Sequence, residues 1–187
     1  MNNISYIKQT IGDEINFERK LMLYKDVLDF EQRVAVCESL FYIYECSIEE
    51  DMKILPCLEG YSLNELGLLM YKAFDLFFTE FNASLFFLYF KIMNVNFHLD
   101  NKKLCIEMGE EILEFLESDN ESFDENQLKQ LFIETYFSLI VCYSEIDPAK
   151  SDEYIEKLYE NYSKEDIGPE KDKTIRMIKE NNFNKLV

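Results

Sequence analysis

A chain of 187 residues with 37 acidic and 19 basic side chains carries a net charge of −18, which excludes direct binding to nucleic acid or anionic lipid, since both require basic patches. At this length about 70% of the unfolded chain's surface can be buried, so one domain over residues 1–187 can hold a full core without metals or disulfides. An apolar fraction of 48%, with 16 Phe and 12 Tyr, supplies that core, while only 5 Gly and 3 Pro favour long helices over many short strands.

The elements follow in chain order. Ile4 to Thr10 reads as a short lead-in helix ended near Gly12. Asp13 caps the next helix, with apolar positions Phe17, Leu21, Tyr24 and Leu28. After a break near Asp29, Val34, Cys37, Leu40, Phe41 and Tyr44 form a helical stripe, and Pro56 and Gly60 close an ambiguous segment, Ile48 to Leu58. Ser62 with Glu65 fits a capping box for a helix from Leu63, on which Phe74, Phe77, Phe78 and Phe81 recur at i, i+3, i+4 and i+7. Asn82 punctuates the chain. Ala83 to Leu99 is apolar on two faces, which predicts a central helix packed on both sides.

Asp100 then caps an amphipathic acidic helix, with Leu104, Met108, Ile112, Phe115 and Leu116 on one side and Glu107, Glu110, Glu111, Glu114 and Glu117 on the other. Asp119, Glu121, Asp124 and Glu125 follow in a loop, and Asp124 with Gln127 opens a helix to about Ile146. Asp147-Pro148 starts a helix to about Tyr162, and Gly168-Pro169 starts a last, more polar one with Ile175, Ile178 and Phe183. No alternation of period 2 persists anywhere. The expected fold is therefore all-α, with about eight or nine helices arranged as stacked antiparallel hairpins or an irregular bundle.

Two hairpins stand out, Ala83–Leu99 with Asp100–Ser118 and Gln127–Ile146 with Pro148–Tyr162. The second carries Tyr136, Leu139, Ile140 and Tyr143, the turn at Asp147-Pro148, then Ser151, Ile155 and Leu158; the first offers Phe90, Met93, Asn94, Phe97 and Cys105 in similar places. Over about residues 83–162 this resembles tetratricopeptide repeats. It departs where Ile140 and Asn94 replace a small residue, and where Phe97 and Tyr143 stand further apart than the repeat period of about 34 residues. The resemblance implies a scaffold that binds a peptide or protein on a concave surface, without catalysis.

The chemistry-bearing residues are sparse. His98, the single histidine, has Val95 three residues before it, so no Glu-x-x-His di-iron motif exists, and Met93 stands five before it, where a helical Arg-and-His ribonuclease needs Arg. Gly12, Gly60, Gly67, Gly109 and Gly168 are too scattered for a phosphate-cradling loop. Cys37, Cys46, Cys57, Cys105 and Cys142 are odd in number and lack metal-ligand spacing, so free thiols in a reducing cytoplasm are expected, with no metal and no cofactor. Met1-Asn2-Asn3-Ile4 lacks the build of a signal peptide. Lys72, Asp75 and Glu80 interrupt the apolar region Leu66 to Phe90, so no membrane span is expected.

What remains is the acidic helix. No basic residue lies between Lys103 and Lys129. Five glutamates over ten residues of helix give one charge per roughly 4 Å, close to the 3.4 Å phosphate spacing of one nucleic-acid strand. Such a face can be a solvated surface. It can also enter the basic groove of a nucleic-acid enzyme or toxin. The sequence therefore predicts a non-enzymatic protein-binding protein of inhibitor or immunity type, contacting a basic partner through Glu107, Glu110, Glu111, Glu114 and Glu117. The alternative is a helical-repeat adaptor or sensor using Asn94, Tyr136 and Tyr143.

Overall fold

The computed structural model describes residues 21–23, 25–49, 62–78, 82–118 and 122–186. The readings at Ile4–Thr10, Gly12, Asp13, Phe17, Tyr24, Pro56, Gly60, Phe81, Asp119 and Glu121, and most of Ile48–Leu58, fall outside the described residues, as do the side chains of Cys46 and Cys57. Among the described residues the protein is all-helical and no strand occurs. The helices are α1 (Phe30–Glu49), α2 (Leu63–Phe77), α3 (Phe86–His98), α4 (Lys102–Ser118), α5 (Glu125–Ile146), α6 (Pro148–Asn161), α7 (Lys164–Ile167) and α8 (Pro169–Leu186). They fall into two compact units, Met1–Asn101 and Lys102–Val187.

In the first unit the break near Asp29 is a helix start. Asp29 Oδ1 accepts from Gln32 N at 2.8 Å and Gln32 Oε1 accepts from Asp29 N at 3.0 Å, the reciprocal satisfaction of a capping box. Val36, Cys37, Leu40, Ile43 and Tyr44 are buried along α1, while Val34 and Phe41 are only half-buried. Ser62 and Glu65 form the expected capping box on α2. The helix stops at Phe78, which turns extended and packs its ring on Phe74, Phe77 and Phe30. Arg33 gathers three carbonyls, donating to Leu28 O at 2.9 Å and Lys25 O at 2.6 Å in the turn before α1 and to Phe77 O at 3.2 Å at the end of α2. A cation here meets the negative end of the α2 dipole.

Asn82 does punctuate the chain, its Oδ1 accepting from Ser84 N at 3.0 Å. Residues 83–85 are consequently a turn, and α3 begins at Phe86 rather than Ala83. Phe86, Leu88, Tyr89, Ile92, Met93, Val95 and Asn96 are buried on it, and α3 packs on both α1 and α2. Asp100 stands two residues before the first residue of α4, Lys102. It has φ 61°, and Asn101 N bonds Asn96 O while Asp100 N bonds Phe97 O. That is the left-handed C-terminal cap of α3, a place where Asp substitutes for the usual Gly.

In the second unit α4, α5 and α6 run up, down and up. Gly109 faces Leu139 and Lys102 reaches Glu145 across α4 and α5; Ser151 Oγ donates to Ile140 O, and Tyr136 packs on Tyr154, across α5 and α6. In both pairs the partner number falls as the residue number rises, so α4 and α6 are each antiparallel to α5. A Cβ on Gly109 would stand 2.9 Å from Leu139 Cδ2, so the two helices approach closely there. Burial on α5 is spread around the helix, and α8 also packs against it.

Asp124 opens α5, accepting from Asn126 N and Gln127 N, so Glu125 belongs to the helix and not to the preceding loop. Asp147 caps α6, accepting from Lys150 N at 3.2 Å, with Pro148 at the first turn. Asp147→Ala is expected to lower stability by about 1 kcal/mol in urea titrations. A loss under about 0.3 kcal/mol would mean Pro148 alone organises that start. Helix α7 was not expected. Its signal is Ser163 with Asp166, a capping box with Asp in place of Glu. Gly168, at φ 85°, then makes the turn into α8.

Candidate partner-binding surface

Helix α4 is amphipathic as its sequence requires. It buries Cys105, Met108, Gly109, Ile112, Leu113 and Leu116, and leaves Leu104 and Phe115 half-buried. The five glutamates do not share one environment. Taking Glu110 as zero, 100° per residue places Glu117 at about −20°, Glu114 at about 40°, Glu107 at about 60° and Glu111 at about 100°. Buried Leu113 lies on the Glu117 side, at about −60° by the same count. Glu110 and Glu117 are therefore the two on the Leu113 side, and Glu110 is bonded to α6.

Glu110 is half-buried. Its Oε1 accepts from Lys150 Nζ at 2.5 Å, Tyr143 Oη at 2.7 Å and Tyr154 Oη at 3.2 Å. The Lys150 ammonium also stands 4.8 Å from the centre of the Tyr143 ring. Burial would raise the Glu110 carboxyl, but the bonds from Lys150 and Tyr143 outweigh it and hold the group below the usual carboxylate value. Lys150 is raised by its bond to Glu110, and Tyr143 and Tyr154 are raised first by burial and then by the adjoining carboxylate. Seven residues along each helix, the charge of Glu117 acts on Lys157. Lys157 is raised chiefly by its bond to Glu153, with Glu117 adding to the effect.

Glu107, Glu111, Glu114 and Glu117 are exposed, spanning about 15 Å of helix. Sequence reasoning missed Lys150, Lys157, Tyr143 and Tyr154 as partners of the acidic helix. The available signal was spacing: Glu110 and Glu117 are separated like Lys150 and Lys157, and parallel helices bring equal spacings into register.

The other candidates are placed as follows. Tyr136 and Tyr143 are buried and Asn94 is half-buried. His98 is exposed at the end of α3, beside the Phe97 ring. Cys37, Cys105 and Cys142 are buried free thiols; the Cys105 thiol is raised by its hydrogen bond with Cys142 and then by burial. Among the described residues no group of three His, Cys, Asp or Glu side chains is placed to hold a metal, and no helix is long and apolar enough to cross a membrane. No family model, curated protein or solved structure matches the chain.

Proposed function

We propose that this is a non-enzymatic protein-binding protein that docks the acidic face of α4 on a basic partner, in the manner of an inhibitor or immunity protein. The partner class is a toxin or a nucleic-acid-binding enzyme, whose basic groove normally takes a phosphate strand. The observation that carries the reading is the exposed row Glu107, Glu111 and Glu114, which continues to Glu117 with no basic residue between Lys103 and Lys129. Like charges at i,i+3 and i,i+4 cost a few tenths of a kcal/mol each on an isolated helix, and a cationic surface laid over them converts that repulsion into attraction. Fast, salt-dependent association follows from such a surface.

The test is capture of the partner from host lysate by the full chain, at low salt and at about 0.5 M salt, where the Debye length is roughly 4–5 Å. Capture by the wild type is expected to fall at least about tenfold at high salt, and Glu107→Lys with Glu114→Lys to reproduce that loss at low salt while helicity stays unchanged. Capture of one protein indifferent to both salt and substitution would remove the acidic docking reading. It would favour instead an adaptor that binds through an apolar surface of stacked hairpins.

A further inference from the structure

Glu110 and the ring of Tyr143 form an ammonium cage, braced by the Tyr154 hydroxyl on Glu110, while the Tyr154 ring itself takes Lys157. We propose that this cage is a binding site for a lysine side chain of the partner, occupied in the free chain by the protein's own Lys150; the identity of the occupant rests on the docking reading above, the cage itself does not. The ligand chemistry is visible in place. One carboxylate oxygen takes the Lys150 ammonium at 2.5 Å while an aromatic face stands 4.8 Å from it, the combination that recognises alkylammonium groups. The aromatic part of the cage is packed in place. Tyr143 and Tyr154 are only 6% and 7% exposed, their rings stack at 5.7 Å, and both hydroxyls are tied to Glu110 Oε1 at 2.7 and 3.2 Å. Such preorganisation removes ordering costs from the binding step.

The cation end is open by contrast. The side chains of Glu110 and Lys150 are each 38% exposed, so an ammonium can enter from solvent. The Lys150 ammonium is held by Glu110 and the Tyr143 ring at the end of a flexible stem, and the bond that anchors its backbone, Lys150 N to Asp147 Oδ1, does not involve that stem. Lys150 thus acts as an intramolecular competitor. While it fills the cage, an outside ammonium binds with an apparent dissociation constant raised in inverse proportion to the fraction of time the cage is open.

The test uses n-butylammonium chloride as a lysine side-chain probe, titrated into the full-length protein with NaCl of equal ionic strength as the reference. Tyr143 and Tyr154 ring resonances report occupancy by NMR. Lys150→Ala is expected to bind the probe saturably and at least about tenfold more tightly than the wild type, because the competitor is gone. Lys150→Ala with Glu110→Gln should lose that gain. Equal ring shifts in all three proteins, or none in Lys150→Ala, would overturn the cage; Lys150→Met, which keeps most of the stem, guards against a collapsed site. Lysate capture separates the two proposals. Capture abolished by Glu107→Lys with Glu114→Lys but not tightened by Lys150→Ala would keep the docking surface and overturn the partner lysine. Salt-indifferent capture with tight butylammonium binding by Lys150→Ala would do the reverse, keeping the cage and removing the acidic docking face.

Discussion

Glu110→Lys is expected to destabilise the Lys102–Val187 unit by about 2–3 kcal/mol, while Glu114→Lys changes its stability by less than about 0.5 kcal/mol. The two positions are one helical turn apart and look equivalent in sequence. Glu110 accepts three hydrogen bonds, one from a cation and two from buried tyrosines. A lysine there would set two ammonium groups against each other and leave both hydroxyls without their acceptor. Hydrogen bonds to charged groups contribute about 1.5–3 kcal/mol each, and solvent screening at this partly exposed site keeps the total near one such bond.

Native-state hydrogen exchange of the α5 and α6 amides would read the loss within this unit. Equal protection in the two variants would return Glu110 to the exposed acidic face. The pH dependence has a definite sign. Since the folded Glu110 carboxyl is held below its ordinary value, its contribution is complete above about pH 4.3 and fades as pH falls through the lower folded value. The stability gap between wild type and Glu110→Gln should therefore narrow on acidification.

Gly67→Ala is the second expected loss, about 1–2 kcal/mol, although alanine is the better helix former by about 1 kcal/mol. A Cβ at this position in α2 would stand 2.7 Å from Leu99 Cδ1, 2.8 Å from Asn96 Oδ1 and 3.3 Å from Asn101 Nδ2. The tip of Leu99 can move aside. Asn96 cannot, because it is fully buried and its amide is committed on both sides. Its Nδ2 donates to Gly67 O at 3.2 Å and Ile92 O at 2.9 Å, and its Oδ1 accepts from Asn101 Nδ2 at 2.9 Å. Moving it breaks buried hydrogen bonds as well as packing, and overpacking alone costs about 1–3 kcal/mol. Thermal melts of Gly67→Ala in the wild-type and Asn96→Ala backgrounds form a double-mutant cycle. The cost should shrink markedly in the second background; an unchanged cost would assign the effect to Leu99.

Elements bounded by local chemistry were legible. The caps at Ser62, Asp124 and Asp147-Pro148, and the break at Asn82, act through bonds that span two or three residues, so the local sequence contains all the information needed. Where a boundary was misplaced, a competing local bond was responsible. Asp100 has the side chain of an N-cap, but the carbonyls of Asn96 and Phe97 draw the following amides back onto α3. The turn at 83–85 delayed α3 for the same kind of reason. Asn96 was passed over because a polar residue within an apolar run carries no mark of burial; its partners lie 29 residues before it, at Gly67, and five after it, at Asn101.

The acidic helix separates the two kinds of knowledge. Its sequence alone determined that α4 forms, which side it buries, and that five glutamates gather on about a third of its circumference, because these follow from 100° per residue and the run of side chains. Which glutamates remain exposed was decided only by tertiary structure. Antiparallel packing of α5 on both α4 and α6 sets the outer two helices parallel, so Glu110 meets Lys150 from 40 residues away and the charge of Glu117 acts on Lys157, while Glu107, Glu111, Glu114 and Glu117 stay exposed. A side chain's angle on its own helix is a local property; whether that angle points at solvent or at a cation depends on the neighbour the fold places there.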